Sequence, residues 1–267
     1  MEVEAFEIFA VKYAERTGHR GEMFVRADPH DGPIDMDYFI WALRSPSHTI
    51  VVDTGFGEPE ARRRKRTFLR DPAAALALID IDAAKVTDVV ITHMHYDHAG
   101  NLDSFPNARF HIQDLEVHYV TGRSMSHDSL RHSFRLDDVL GLIRRVYADQ
   151  VVFHRGDDEL VPGVRLHQIG GHTPGQQSLR VTTKRGQVVI ASDAAHYYES
   201  FLEERAFLTH ESMTDLLEGH RTLRRLADSD DHVVPGHDPL VLRRYPPPSA
   251  ELAGIVACLH LDPNTAT

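Results

Sequence analysis

Cysteine is almost missing from this chain: the single one, Cys258, cannot form an internal disulfide. A disulfide-stapled scaffold is therefore excluded, and the expected location is the reducing cytoplasm. Long apolar runs are missing too, with none near the ~18–20 residues that cross a bilayer. The opening Met1-Glu2-Val3-Glu4 lacks the basic stretch of a secretory signal, so no membrane partner is expected. Positive charge is short: 29 Lys and Arg stand against 40 Asp and Glu, a net charge of −11. Such a surface repels phosphate backbones, which removes nucleic acid from the expected partners. No long Pro/Gly/Ser linker and no short repeat interrupts the chain, which predicts a single domain over residues 1–267. What the chain does have is ordinary core material, at 42% hydrophobic, and 19 histidines. A core of this size does not need that many imidazoles, so the count points to metal.

Short apolar, β-branched runs predict strands near residues 6–11, 38–43, 49–52, 89–92, 108–112, 151–153, 164–169, 178–182 and 188–191. Helical spacing appears over 72–79, 115–120, 137–147 and 213–226. The two sets interleave along the whole chain, which predicts a layered α/β architecture. Residues 14–33 and 122–136 read as long irregular stretches and candidate pocket walls. The proline run after Tyr245 is expected to end the globular body.

The run Val89-Val90-Ile91-Thr92 leads directly into His93-Met94-His95-Tyr96-Asp97-His98-Ala99-Gly100. Four potential ligands thus lie within six positions at the end of a rigid strand. Imidazole and carboxylate are donors that Zn²⁺ accepts, as do Mn²⁺, Fe²⁺ or Co²⁺. His93 and His95 are spaced to share one ion, with Asp97 and His98 turned toward a second, and Gly100 is expected to let the chain bend behind them. Three further donors each follow a short apolar strand: His172 in a Gly/Pro-rich turn, Asp193 in Ser192-Asp193-Ala194, and His237 in Pro235-Gly236-His237-Asp238. Strand ends are where open α/β sheets place their sites.

This ordered set, His93-x-His95-x-Asp97-His98 followed by His172, Asp193 and His237, resembles the metallo-β-lactamase superfamily over roughly residues 35–240. The resemblance implies an αββα sandwich with a dinuclear metal site at one edge. It implies that His93, His95 and His172 hold one Zn²⁺, that Asp97, His98 and His237 hold the other, and that Asp193 bridges them. Asp53, in Asp53-Thr54-Gly55, matches an early turn whose acid supports the site from behind. A histidine at position 95 argues against the diiron oxygen-reducing branch, and a bridging Asp193 argues against the true β-lactamases. The net charge disfavours RNA-processing nucleases, and a tail after Tyr245 without Lys or Arg lacks the basic region of the glyoxalase II branch.

The chain is most similar to the N-acyl homoserine lactone hydrolases. The function this implies is a di-zinc hydrolase that opens the ring of an N-acyl homoserine lactone or a related small lactone. A metal-bridging hydroxide would be the nucleophile, and a homodimer is a possible assembly. The alternatives are hydrolysis of another ester, a thioester as in glyoxalase II, or a cyclic amide, and a non-enzymatic scaffold that kept the fold. Members of this branch carry a Tyr three residues past the bridging Asp; here that position is His196, followed by Tyr197 and Tyr198. In an extended segment His196 and Tyr197 face opposite ways. Tyr197 is the expected hydrogen-bond donor to the substrate carbonyl, because a phenol keeps its proton at neutral pH. Asp97, Tyr197 and His196 are thus the candidate catalytic groups. The basic run at residues 62–66 reads as a solvated helix face, with an anion patch as its functional alternative. Met23 and Phe24 are candidate lining for an acyl groove, and the 136–146 helix is a candidate cap.

Overall fold

Strict alternation along the two longest strands builds the layers of the molecule. In Glu7–His19, Ile8 and Ala10 join one apolar cluster while Phe9 and Val11 join another. In its antiparallel neighbour Pro33–Arg44, Phe39, Trp41 and Leu43 face the first cluster, and Tyr38, Ile40 and Ala42 the second. Successive side chains of a strand point to opposite faces, so a strand apolar at every position is covered on both sides. Each fully buried Phe or Leu there contributes roughly 1.5–3 kcal/mol. The computed structural model describes residues 3–28 and 30–264.

The first sheet runs in the order Val256–Cys258, Glu7–His19, Pro33–Arg44, Thr49–Val52, Asp88–Val90, Arg109–Gln113 and Val151–His154. Its first half is antiparallel and its last four strands are parallel. The second sheet runs Val233–Pro235, Gly186–Ser192, Gln177–Thr183, Val164–Gln168 and Asp158–Val161. Trp41, Val52 and Val90 of the first sheet pack with Leu166, Leu179 and Val188 of the second, forming the inner layer. Leu76, Leu102 and Leu142 cover the outer face of the first sheet. Helices Tyr198–Leu202 and Met213–Leu226 pack on the second through Phe201 and Leu223. The result is the αββα sandwich implied by the resemblance.

Three sequence expectations change. The stretch 14–33 is not irregular throughout, because the first strand continues through His19 and pairs down to Pro33 with a bulge between Lys12 and Ala14. Its outer half alternates between half-buried and exposed, so backbone pairing rather than apolar patterning carries it. The prolines after Tyr245 end the helix Leu240–Arg244 but not the fold. The chain returns as Val256–Cys258, which pairs with Phe9–Val11 and buries Cys258. The helix Leu136–Tyr147 packs Leu142 into the core and anchors to Asp103 through Arg145 at 2.6 Å. It walls a hollow beside residues 99–104 rather than capping the histidines.

Candidate metal centre

The donors all lie just beyond strand ends at one edge of the sandwich. Asp53 leaves Thr49–Val52 with φ of 63°, a conformation that Asp tolerates better than most side chains. Its Oδ1 accepts from the Thr92 backbone N–H at 2.8 Å, and its Oδ2 accepts from the Thr92 hydroxyl and from His98 Nδ1, both at 2.8 Å. One buried carboxylate therefore fixes where the chain leaves Asp88–Val90 and how the His98 ring is turned. His95 begins the short helix Tyr96–Ala99, which presents Asp97 and His98, and Tyr13 pins its first turn by donating to the Asp97 carbonyl at 2.8 Å. Gly100 behind it has an ordinary φ of −83°, so the bend expected of it is not what requires glycine. A Cβ there would sit 2.7 Å from the Gly55 carbonyl oxygen; close backbone approach is the reason.

His172, Asp193 and His237 follow Val164–Gln168, Gly186–Ser192 and Val233–Pro235, respectively. The structure brings all seven expected donors together. His172 Nε2 lies 3.1 Å from His93 Nε2 and 2.9 Å from His95 Nδ1. Asp97 Oδ2 lies 3.9 Å from both His98 Nε2 and His237 Nε2. Asp193 stands between the triads: Oδ1 is 3.2 Å from His98 Nε2 and 3.0 Å from His237 Nε2, while Oδ2 is 3.3 Å from His172 Nε2.

Hydrogen bonds at the back of each ring decide which nitrogen faces inward. His172 Nδ1 donates to the Thr209 carbonyl at 2.6 Å, His237 Nδ1 to the Asp37 carbonyl at 2.8 Å, and His98 Nδ1 to Asp53. Each of these bonds turns Nε2 into the site, where its lone pair binds a cation once any second proton has been displaced. Burial pushes His93 and His95 well below the usual imidazole range and His172 to about 3, keeping them neutral. Burial alone would raise Asp193, but His237, His98 and His196 hold its carboxyl well below its ordinary range. Against their own burial, Asp193 raises His98 and His237 in return. Protons sit here where dications would displace them. His98 Nε2 and Asp193 Oδ1 are buried with no hydrogen-bond partner among the described residues. Two facing orphans of this kind fit a metal ion.

The two candidate carbonyl donors part company. His196 Nε2 lies 2.9 Å from Asp193 Oδ2, and its ring stacks on Phe207 at 3.7 Å. Tyr197 points the other way: its hydroxyl donates to the Asp35 carbonyl at 3.2 Å, and its ring packs 5.6 Å from Phe24 in a separate hollow. His196 thus lines the cleft beside Asp193, whereas Tyr197 lines a different hollow, so the two neighbours face opposite ways as expected of an extended segment.

Several groups at the site were not foreseen. Glu116 is fully buried; Oε1 accepts from the Met94 N–H at 2.8 Å and Oε2 from the Thr173 hydroxyl at 2.6 Å. It ties the loop of His93 and His95 to that of His172. Burial pushes its carboxyl up to about 7. No short-range spacing marks a residue that works from a helix 22 positions away. The basic run at 62–66 divides. Arg62 and Arg63 stay on the exposed face and pair with Glu58 and Glu60, while Arg64 and Arg66 turn into the cleft over the histidines. That cleft encloses ≈ 250 Å³. Met23 lines it, as expected, but Phe24 lies in the core.

Comparison with known proteins agrees with this geometry. The family model of the metallo-beta-lactamase superfamily matches residues 36–237. An N-acyl homoserine lactonase of Bacillus cereus is 30% identical over 220 residues, covering 77% of this chain and 82% of the relative. One from a Bacillus species is 26% identical over 222 residues, with the same coverage. Among solved structures, a quorum-quenching N-acyl homoserine lactone lactonase superposes with a TM-score of 0.73 at 21% identity, covering 89% of this chain and 93% of that one. A dizinc quorum-quenching lactonase in complex with a product superposes with a TM-score of 0.69 at 18% identity, covering 90% of each chain. With its seven donors gathered at one sheet edge and its sequence matched over most of its length, the chain belongs to the metallo-β-lactamase superfamily, in its lactonase branch, and is a metal-dependent hydrolase.

Proposed function

We propose that this hydrolase is a two-metal lactonase that opens the ring of N-acyl homoserine lactones or a related small lactone, with Zn²⁺ as the metal. The observation that carries this reading is Asp193, whose two oxygens are divided between two histidine-bearing triads. His93, His95 and His172 would hold one ion, an all-nitrogen set suited to Zn²⁺. Asp97, His98 and His237 would hold the second, with Asp193 shared. Bound there, the ions supply Lewis acidity and lower the pKa of a water from 15.7 toward about 7.

The remaining work falls to the chain. His196 donates from Nε2 to Asp193 Oδ2 and would hold the carboxylate between the two triads in register. It lines the cleft where a ring carbonyl would lie. Asp97, beside His98 and His237, would carry a proton from the attacking water to the leaving alkoxide. The acyl carbon–oxygen bond of the ring breaks, and one hydroxy acid leaves with both ends attached. Cys258 sits at the far edge strand, and no Ser or Cys nucleophile is needed.

The test is side-by-side turnover of a lactone panel and a glutathione thioester by zinc-loaded protein. Ring opening with at most trace thioesterase activity is expected; a thioester preferred over every lactone would overturn the reading.

A further inference from the structure

Three arginines, Arg16, Arg64 and Arg66, border the cleft over the histidines. Arg64 is occupied locally: it pairs with Glu60, donates to the His132 carbonyl at 2.8 Å, and lies 3.8 Å over the Tyr96 ring. The other two bond only neutral groups. Arg66 donates to the Arg64 carbonyl at 2.9 Å and to the Tyr96 hydroxyl at 3.3 Å. Arg16 donates to the Met23 sulfur at 3.0 Å, a weak acceptor, and its Nε is buried with no partner. Neither makes an ion pair with a carboxylate among the described residues, although acids outnumber bases 40 to 29 in this chain. Glu22 on the rim is exposed and unpaired with them, and Asp97, whose charge reaches Arg66, is directed at His98 and His237. Both are half-buried at the cleft with no acid bonded to them, so a ligand that brings a carboxylate would gain charge-assisted bonds that the chain itself does not satisfy.

Tyr38 lines the same cleft as these two arginines. Its phenol feels both positive charges, its hydroxyl is 3.3 Å from that of Tyr96, and its ring meets His237 edge-on at 5.3 Å. Two guanidinium groups and the one phenol proton left over from the Tyr38–Tyr96 bond thus line the same cleft as Asp97 and His237 of the second triad. The apolar wall, by contrast, offers little beyond Met23 and Met36.

We propose that this pocket receives a carboxylate that the substrate carries outside its scissile ring, so that the preferred substrate is an anionic lactone rather than one with a neutral acyl chain. The inference rests on the lactonase reading above and narrows it. A planar carboxylate matches a guanidinium fork and accepts from phenols as well.

The experiment compares N-succinyl-L-homoserine lactone with N-pentanoyl-L-homoserine lactone, which share ring and amide and differ in the terminal charge. The succinyl compound should be favoured at least about tenfold in kcat/KM, mainly through KM. Arg66→Met and Arg16→Met should each lower that ratio about tenfold, and Arg66→Lys should restore part of it. A ratio at or below one in the parent, or one that neither substitution moves, overturns the proposal. Calorimetry with N-succinyl-cyclopentylamine, which lacks the ester, separates the two readings. If neither lactone is opened but this compound binds about tenfold more weakly to Arg66→Met, the lactonase reading fails and the pocket stands. If the lactones are opened and it binds both proteins alike, the pocket fails and the lactonase reading stands.

Discussion

Asp53→Asn isolates the tautomer argument at the second triad. Asp53 Oδ2 accepts from His98 Nδ1 at 2.8 Å, which leaves Nε2 as the atom directed into the site and able to offer its lone pair to a metal. An asparagine oxygen can keep the bond to the Thr92 N–H, because that contact is made by the other carboxylate oxygen. The new amide then faces His98 with a donor. To avoid two donors meeting, His98 must move its proton to Nε2, which caps the lone pair a metal requires. The Thr92 hydroxyl can rotate and accept from the amide, so the conflict is confined to His98. A hydrogen bond to a charged partner is worth about 1.5–3 kcal/mol, or roughly 10- to 150-fold in affinity at 1.4 kcal/mol per decade. Metal titration against a competing chelator should therefore show the second equivalent weakened by about that factor and the first retained. Thermal melting of the metal-free variant reports whether the fold survives. Two equivalents bound with parental affinity would refute the reasoning.

Asp193→Asn keeps the shape but removes the charge shared by both triads; elemental analysis should fall from two metals toward one, with activity down at least ~10²-fold. His196→Ala should lose about tenfold or more in kcat, as a bond to a charged carboxylate is removed, while Tyr197→Phe stays within about twofold, since its hydroxyl serves only the Asp35 carbonyl. The reverse ranking would restore Tyr197 as the donor. His220 is buried, and burial followed by the charge of His196 lowers it to about 4. Its depressed folded-state pKa means the unfolded chain binds the extra proton between pH 6.5 and 4, so stability falls as pH drops through that window, by about 3 kcal/mol from this group. Urea unfolding of metal-free parent and His220→Leu across that range should show a flatter pH dependence in the variant; identical slopes would contradict it.

The histidine count was a coarser guide than the motif. His111 and His154 bond each other at 3.0 Å and reach Asp88 and Asp158, and His167 bonds Asp157, all away from the metal centre. These rings hold sheet edges together, which a count cannot distinguish from ligation. The gathering of the candidate donors was legible because each donor follows an apolar strand, and strand ends at a shared sheet edge bring together residues far apart in sequence.

The remaining features depend on how faces turn once layers pack. The rotation of the helix Glu58–Arg64 against Tyr96 leaves Arg62 and Arg63 in water and turns Arg64 into the cleft, while Arg66 enters it beyond the left-handed end of that helix at Lys65. Glu116 became part of the site only when its helix met the two histidine loops. The sequence alone determined the layered class, the order of donors and their placement at strand ends, because those follow from short-range periodicity and spacing. Tertiary structure decided that His196 rather than Tyr197 meets Asp193 and that two arginines lack acids, because orientation and counter-charge are set by contacts between elements remote in the chain.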